Sequence, residues 1–190
     1  MLTFASKYAQ NIFSQNGENG IIDECIKRIK PQLKVAVEFG APTREYCSNI
    51  NHLTDWERIF FDINPSDPQV TEAEITPANV NEIIPDCSVL SIDVDGNDYN
   101  IWKAYEGRPD LVVIEINSGI HPMNDAPVSD LQHGTGYLPM VQLGISKGYV
   151  LLCHTGNLVF LRADHHKLFP EIQGTGIENY PLYFNNSWQR

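Results

Sequence analysis

The chain has 190 residues, enough for one domain with a sizeable core, and an apolar share of 42% with no apolar run long enough to span a membrane. Thirteen Lys and Arg against 24 Asp and Glu leave a net charge of −11, which argues against polynucleotide binding, a task that needs clustered cations on one face. The cysteines at 25, 47, 87 and 153 show neither metal-ligand pairs nor a disulfide framework, so each reads as a small buried apolar residue in a reducing compartment. The start, M-L-T-F-A-S-K, lacks the apolar core of a signal peptide, and the expectation is a cytoplasmic protein with no membrane partner.

Residues 1–13 read as a lead-in arm. Ser14-Gln-Asn-Gly-Glu18 is a polar turn that opens an amphipathic helix to about Ile29, with Ile21, Ile22, Cys25, Ile26 and Ile29 on one face and Pro31 as the stop. The Lys27-Arg28 and Lys30 run falls at the end of that helix, where the helix dipole favours cations. Strands follow at 34–39 and 57–63, and a weaker one near 70–75. Thr76-Pro77 supplies a cap and a first helical position for a short helix that buries Val80, Ile83 and Ile84 and stops at Pro85.

The fourth strand lies in Ser88–Tyr99, S-V-L-S-I-D-V-D-G-N-D-Y, and a helix carrying Ile101, Trp102 and Tyr105 follows it. The fifth strand covers 110–117, and 118–136 is a long loop of the kind that often carries function. Leu138, Val141 and Ile145 mark a helix ended by Lys147-Gly148. Tyr149–His154 and Leu158–Arg162 flank Thr155-Gly156-Asn157, a hairpin signal; the tail from Ala163 carries no assignment. Trp56, Trp102 and Trp188 read as packing residues, and His165-His166 as surface.

Five strands alternating with helices, then a helix and a hairpin, describe an α/β fold with a mostly parallel sheet and one antiparallel strand. Such sheets bind ligands beyond the carboxyl ends of their strands. Two adjacent strands here end in acids: Asp93, Asp95, Asn97 and Asp98 after one, Glu115 and Asn117 after the other. Asp93 or Asp95 with Glu115 and Asn117 offers an oxygen-only set suited to Mg²⁺; without metal, Asp93 or Glu115 can act as a general base. Asp98 or Asn97 reads as a helix cap, Asp95-Gly96 as the turn before it. D-V-D-G-N-D fails as a calcium loop, because Asp98 stands at the glycine position and Ala104 at the final glutamate. His121 and His133 lie in the long loop, either as solvated side chains or as acid/base groups reaching a pocket.

S-Q-N-G-E-N-G-I-I (14–22), V-E-F-G (37–40), S-N-I (48–50), F-F-D (60–62) and L-S-I-D-V-D-G-N-D-Y (90–99) together resemble the FkbM-related S-adenosylmethionine-dependent methyltransferases, over roughly residues 14–162. The resemblance implies a single Rossmann-like domain of the class I methyltransferase type, with the antiparallel strand of the hairpin beside the fifth strand. It implies methyl transfer from S-adenosylmethionine to an oxygen of a small-molecule or carbohydrate-like acceptor. Glu38 and Gly40 match the loop that approaches the methionine part of the cofactor, and Asp62 the acid that binds ribose hydroxyls. Gln15 and Asn16 either close over the cofactor or cap the helix, and Asp93 stands near both cofactor and acceptor. Metal-dependent methyltransferases of the catechol type, which resemble this fold, imply Mg²⁺ at Asp93 or Asp95 with Glu115 and Asn117; the catalytic candidates are Asp93, Asp95, Glu115 and His121. One position departs from the pattern: where relatives carry a glycine four residues after Gly40, this chain has Arg44, which either crowds the cofactor or swings out to water. Two other readings stay open: a methyltransferase-like fold serving as a non-catalytic binding module, and metal-dependent hydrolysis at the acidic rim.

Overall fold

A computed structural model describes residues 3–125, 134–172, 174–178 and 180–184. His133 and Trp188 therefore lie outside the described residues. The elements run α1 (Phe4–Tyr8), α2 (Glu18–Ile29), β1 (Val35–Phe39), β2 (Glu57–Asp62), β3 (Thr71–Glu72), α3 (Val80–Ile83), β4 (Val89–Ile92), α4 (Asp98–Ala104), β5 (Leu111–Glu115), α5 (Tyr137–Ser146), β6 (Tyr149–His154), β7 (Asn157–Arg162), a 3-10 helix (Ala163–Leu168) and α6 (Tyr180–Tyr183).

The strands form one seven-stranded sheet in the order β3-β2-β1-β4-β5-β7-β6. β1 to β5 are parallel, and β7 lies antiparallel between β5 and β6. The hairpin is thus folded back so that its second strand, not its first, pairs with β5, as expected, and β6 takes the edge. The central strands are buried on both faces, which is why they read as continuous Val/Ile/Leu runs rather than alternating ones. Val35, Val37 and Phe39 of β1, Leu90 and Ile92 of β4, and Val112 and Ile114 of β5 pack with Ile101, Trp102, Tyr137 and Met140 on one face. Ala36, Val89, Leu111 and Val113 pack with Phe4, Ile21, Ile22, Leu152 and Phe169 on the other.

Three local expectations change. The lead-in arm holds a one-turn helix, α1, whose Phe4 is buried and whose Thr3 hydroxyl accepts from the Ser6 N–H. α3 begins at Val80 rather than at Pro77, because the Thr76 N–H is taken by the Asn79 side chain and Thr76–Asn79 closes as a turn first. Among the cysteines, 25, 87 and 153 are buried, whereas Cys47 is half-exposed in a left-handed conformation (φ 62°). Among the described residues, no helix is long and apolar enough to cross a membrane.

Candidate functional site

The chain order of the parallel strands reverses between β1 and β4, and a crevice opens beyond their carboxyl ends. It has a volume of about 190 Å³ and is lined by Phe39 and Gly40 after β1, Phe61, Asp62 and Ile63 at β2, Ala73, Glu74 and Ile75 after β3, and Asp93, Val94, Asp95 and Asn97 after β4. Apolar walls with convergent polar groups are the usual make-up of a ligand cleft.

Asp62 is nearly buried, and its Oδ1 accepts from the Asn64 N–H at 2.7 Å, which tightens the turn before Pro65 and holds the carboxylate at the lip of the cleft. The turn-forming reading of this residue is met, and its carboxylate also lines the cleft. Gly40 lines the cleft too, but its glycine identity has a packing cause. At φ 93° an added Cβ would lie 1.3 Å from the Asp93 carbonyl oxygen, so the loop after β1 closes directly on the end of β4.

Asp93, Asp95 and Glu115 each bring a carboxylate oxygen to within 4.8 Å of the others'. Asp95 stands at φ 55° and Gly96 at φ 130°, a left-handed pair that turns the chain back sharply enough to aim both aspartates at the same place. Asp98 holds that turn: one oxygen accepts from the Val94 N–H at 2.8 Å and the other from the Gly96 N–H at 3.0 Å. Its expected structural role stands, though it braces the turn before the helix instead of capping α4 from Asn97, whose side chain makes no cap bond. Burial first, then the charges of Glu115, Asp98 and Asp95, push the Asp93 carboxyl far above the carboxylate range; burial and the same acids raise Glu115 as well. The Asp93 and Glu115 carboxylate oxygens lie within 4.8 Å of each other, and the crowding of acids favours a proton on the pair.

Other expected residues stand elsewhere. Glu38 does not line the cleft. It points to the opposite face of the sheet, is 2% exposed, and accepts from the Ser48 hydroxyl and from the Asn49 N–H at 2.7 Å. Burial raises its carboxyl while those donors oppose the rise. Gln15 and Asn16 also lie away from the cleft: the Gln15 amide meets Cys47 Sγ, and the Asn16 N–H donates to Glu18. Asn117 Oδ1 accepts from the Gly119 N–H at 2.9 Å, shaping the turn after β5. His121 is exposed, and its Nδ1 accepts from the Met123 N–H at 3.2 Å. Arg44 leaves the cleft open: its Nε donates to Asp67 Oδ2 at 2.7 Å, and the guanidinium lies 6.0 Å from the Phe60 ring. His165 is no free surface group either, since its Nε2 meets Asp110 Oδ1 at 2.7 Å.

Sequence reasoning missed the wall made by Ala73, Glu74 and Ile75, which carries no motif because its place follows from a two-residue strand. It also missed the weight of Asn19, whose Oδ1 accepts from the N–H groups of Ile12, Phe13 and Ser14 while its amide donates to the carbonyls of Ser48 and Asn49. No family model matches the chain, and no curated protein resembles it beyond chance.

Proposed function

We propose that the chain is a class I, FkbM-related methyltransferase that uses S-adenosylmethionine to methylate an oxygen of a small-molecule or carbohydrate-like acceptor. The observation that carries this reading is the cleft at the β1/β4 reversal, with Asp62 at its lip, in a sheet ordered 3-2-1-4-5-7-6 whose seventh strand is antiparallel. Asp62 has an oxygen left over from its turn to accept from a ribose hydroxyl, and Phe39, Ile63, Ala73 and Ile75 offer an apolar bed for a base. The cofactor, when bound, supplies an electrophilic methyl group on a sulfonium. The chain's own part is to take the acceptor's proton. Glu115, raised to about 7, is matched to that task near neutral pH, and Asp93, raised to about 9, holds the pair's proton beside it. The three converging carboxylates also fit a hard divalent cation: Asp93, Asp95 and Glu115 would hold Mg²⁺, which would supply Lewis acidity to lower the pKa of an acceptor hydroxyl.

A thermal-shift series with S-adenosylhomocysteine tests the reading. At about one hundred times its dissociation constant the ligand should add about 2.7 kcal/mol, a rise of roughly 5–10 °C in Tm. Asp62→Ala should remove most of that rise, read against the variant's own unliganded Tm, which should fall because the turn loses its bond from the Asn64 N–H. The rival reading, a non-catalytic module on the same fold, draws on the modest size of the cleft and on Glu38 being committed to the loop at Ser48 and Asn49. No shift by melting, and no heat by calorimetry, would decide for it.

A further inference from the structure

A groove of about 560 Å³ lies on the amino edge of the sheet, at the opposite end of the parallel strands from the acidic cleft. Its lining includes Leu33 before β1, Ser88 before β4, Asp110 before β5 and Arg162, the last residue of antiparallel β7. Its size is that of a small-molecule pocket. Ile29, Pro31 and Leu33 give it an apolar part, and Leu33 keeps 43% of its surface in solvent. Lys30, Arg108 and Arg162 make another part cationic, in a chain whose net charge is −11. Arg162 is held by acids: its Nη2 lies 2.8 Å from Asp110 Oδ1, and its Nε donates to both oxygens of Asp164 at 2.9 and 3.0 Å. Its Nη1 donates to the Arg108 carbonyl at 3.0 Å, which fixes the backbone of the second arginine. Asp110 also meets His165 Nε2 at 2.7 Å, so this acid is already shared by two groups.

The other two cations have no such partner. The Arg108 guanidinium, with its Nη2 beside Gly148, makes no hydrogen bond or ion pair among the described residues, and neither does the Lys30 ammonium. Lys30 stands at φ 54° and ψ 61°, the left-handed position at a helix end that ordinarily goes to glycine, so a strained backbone carries this cation. Ser88 is 3% exposed, and its hydroxyl makes no hydrogen bond among the described residues. A buried donor without a partner is costly until a ligand supplies one. Asp86, exposed in the same lining, offsets one of the two unpaired cations and leaves the other in excess. An arginine fork, a lysine point charge and a hydroxyl are a donor set for phosphoryl oxygens, and the apolar part suits an attached organic group. We infer that the amino-edge groove binds a small organic phosphate monoester, its phosphoryl group held by Arg108, Lys30 and the Ser88 hydroxyl and its apolar group covered by Ile29, Pro31 and Leu33. The groove shares no residue with the cleft, so this site stands apart from the methyltransferase reading.

An NMR titration of the full chain with phenyl phosphate, inorganic phosphate and phenol tests this. Phenyl phosphate should bind with a dissociation constant below about 1 mM and shift the amide signals of Ser88, Arg108 and Asp110, while those of Gly40 and Asp62 stay in place. Inorganic phosphate should bind about tenfold or more weaker, since it leaves the apolar part uncovered, and phenol, which lacks the anion, should not bind measurably. Arg108→Gln should weaken phenyl phosphate about tenfold, the value of a charge-assisted bond. Lys30→Gly should weaken it as well, yet raise the unliganded Tm, because glycine relieves the left-handed turn; a lysine with a structural role alone would change Tm and leave binding as it was. Equal affinity for the two phosphates marks an adventitious ion only and overturns the inference. It is also overturned by no binding of phenyl phosphate, by shifts centred on Gly40 and Asp62, or by affinity that survives Arg108→Gln.

Discussion

A single methyl group at residue 40 would collide with the backbone that aims the acidic rim. Because a Cβ there meets the Asp93 carbonyl at 1.3 Å, Gly40→Ala should cost at least about 3 kcal/mol, read as a large loss in urea midpoint, and should displace Asp93 as well. Two titrating groups, one buried and one half-buried, give stability opposite slopes with pH. His154 is 1% exposed, meets the Ser118 hydroxyl at 3.0 Å and stacks on Phe184, and burial lowers it to about 4. The unfolded chain therefore binds a proton that the folded one refuses, and stability should fall as pH drops from about 6.5 toward 4, by up to about 1.4 kcal/mol per unit. Asp93 works the other way: its raised folded value favours the native state below the unfolded carboxylate pKa, and that contribution is lost as pH climbs toward 9. Melting curves from pH 4 to 9 should show a maximum between these limits, and Asp93→Asn should flatten the alkaline side. The convergence of Asp93, Asp95 and Glu115 was legible because strand polarity places the ends of neighbouring parallel strands together. The face to which Glu38 points was not legible, because a strand inside a sheet buried on both faces gives no alternation to say which way a given side chain points.

Among the elements, α2 is bonded at both its ends to distant parts of the chain. Glu18 opens it and accepts from the Thr155 hydroxyl at 2.7 Å and from the Asn157 amide at 3.3 Å, so the first turn of the helix is tied to the β6–β7 hairpin. Glu18→Ala leaves those buried donors short of a partner and should cost about 1–3 kcal/mol by chemical denaturation. Near the other end, Arg28 donates to both oxygens of Glu171 at 2.9 and 3.0 Å, to Glu24 at 2.8 Å and to the Tyr8 hydroxyl at 2.9 Å, and lies against Phe4, Tyr8 and Phe169. Arg28→Lys cannot reproduce the fork or the stacking, and hydrogen exchange should quicken in both α1 and the segment around Phe169. The amphipathic stripe of α2 could be read directly from Ile21, Ile22 and Cys25. Its two ends could not, because polar residues at a helix start read as ordinary caps, and a basic residue at a helix finish is explained by the dipole alone. Only the folded chain brings the partners, more than a hundred residues away, into reach.

At the scale of the whole molecule, the order of elements from α2 to β7 was in the sequence, and so was the antiparallel hairpin, because Thr155-Gly156-Asn157 separates two apolar runs too closely for a crossover. The position of β7 inside β6 was not a matter of local pattern; it came from likeness to other sheets. The connection from β1 to β2 was equally opaque: residues 40–56 cross the sheet without a helix, and they bury Ile50 and Leu53 through turns that have no periodicity. The anchoring of Arg28 also has a consequence in time. Glu171 follows it by 143 residues, so at about 5–20 residues per second a ribosome needs roughly 7–30 s to supply the acid after the arginine has been made. During that interval the nascent chain carries Phe4, Tyr8 and the apolar side of its first long helix without their final cover.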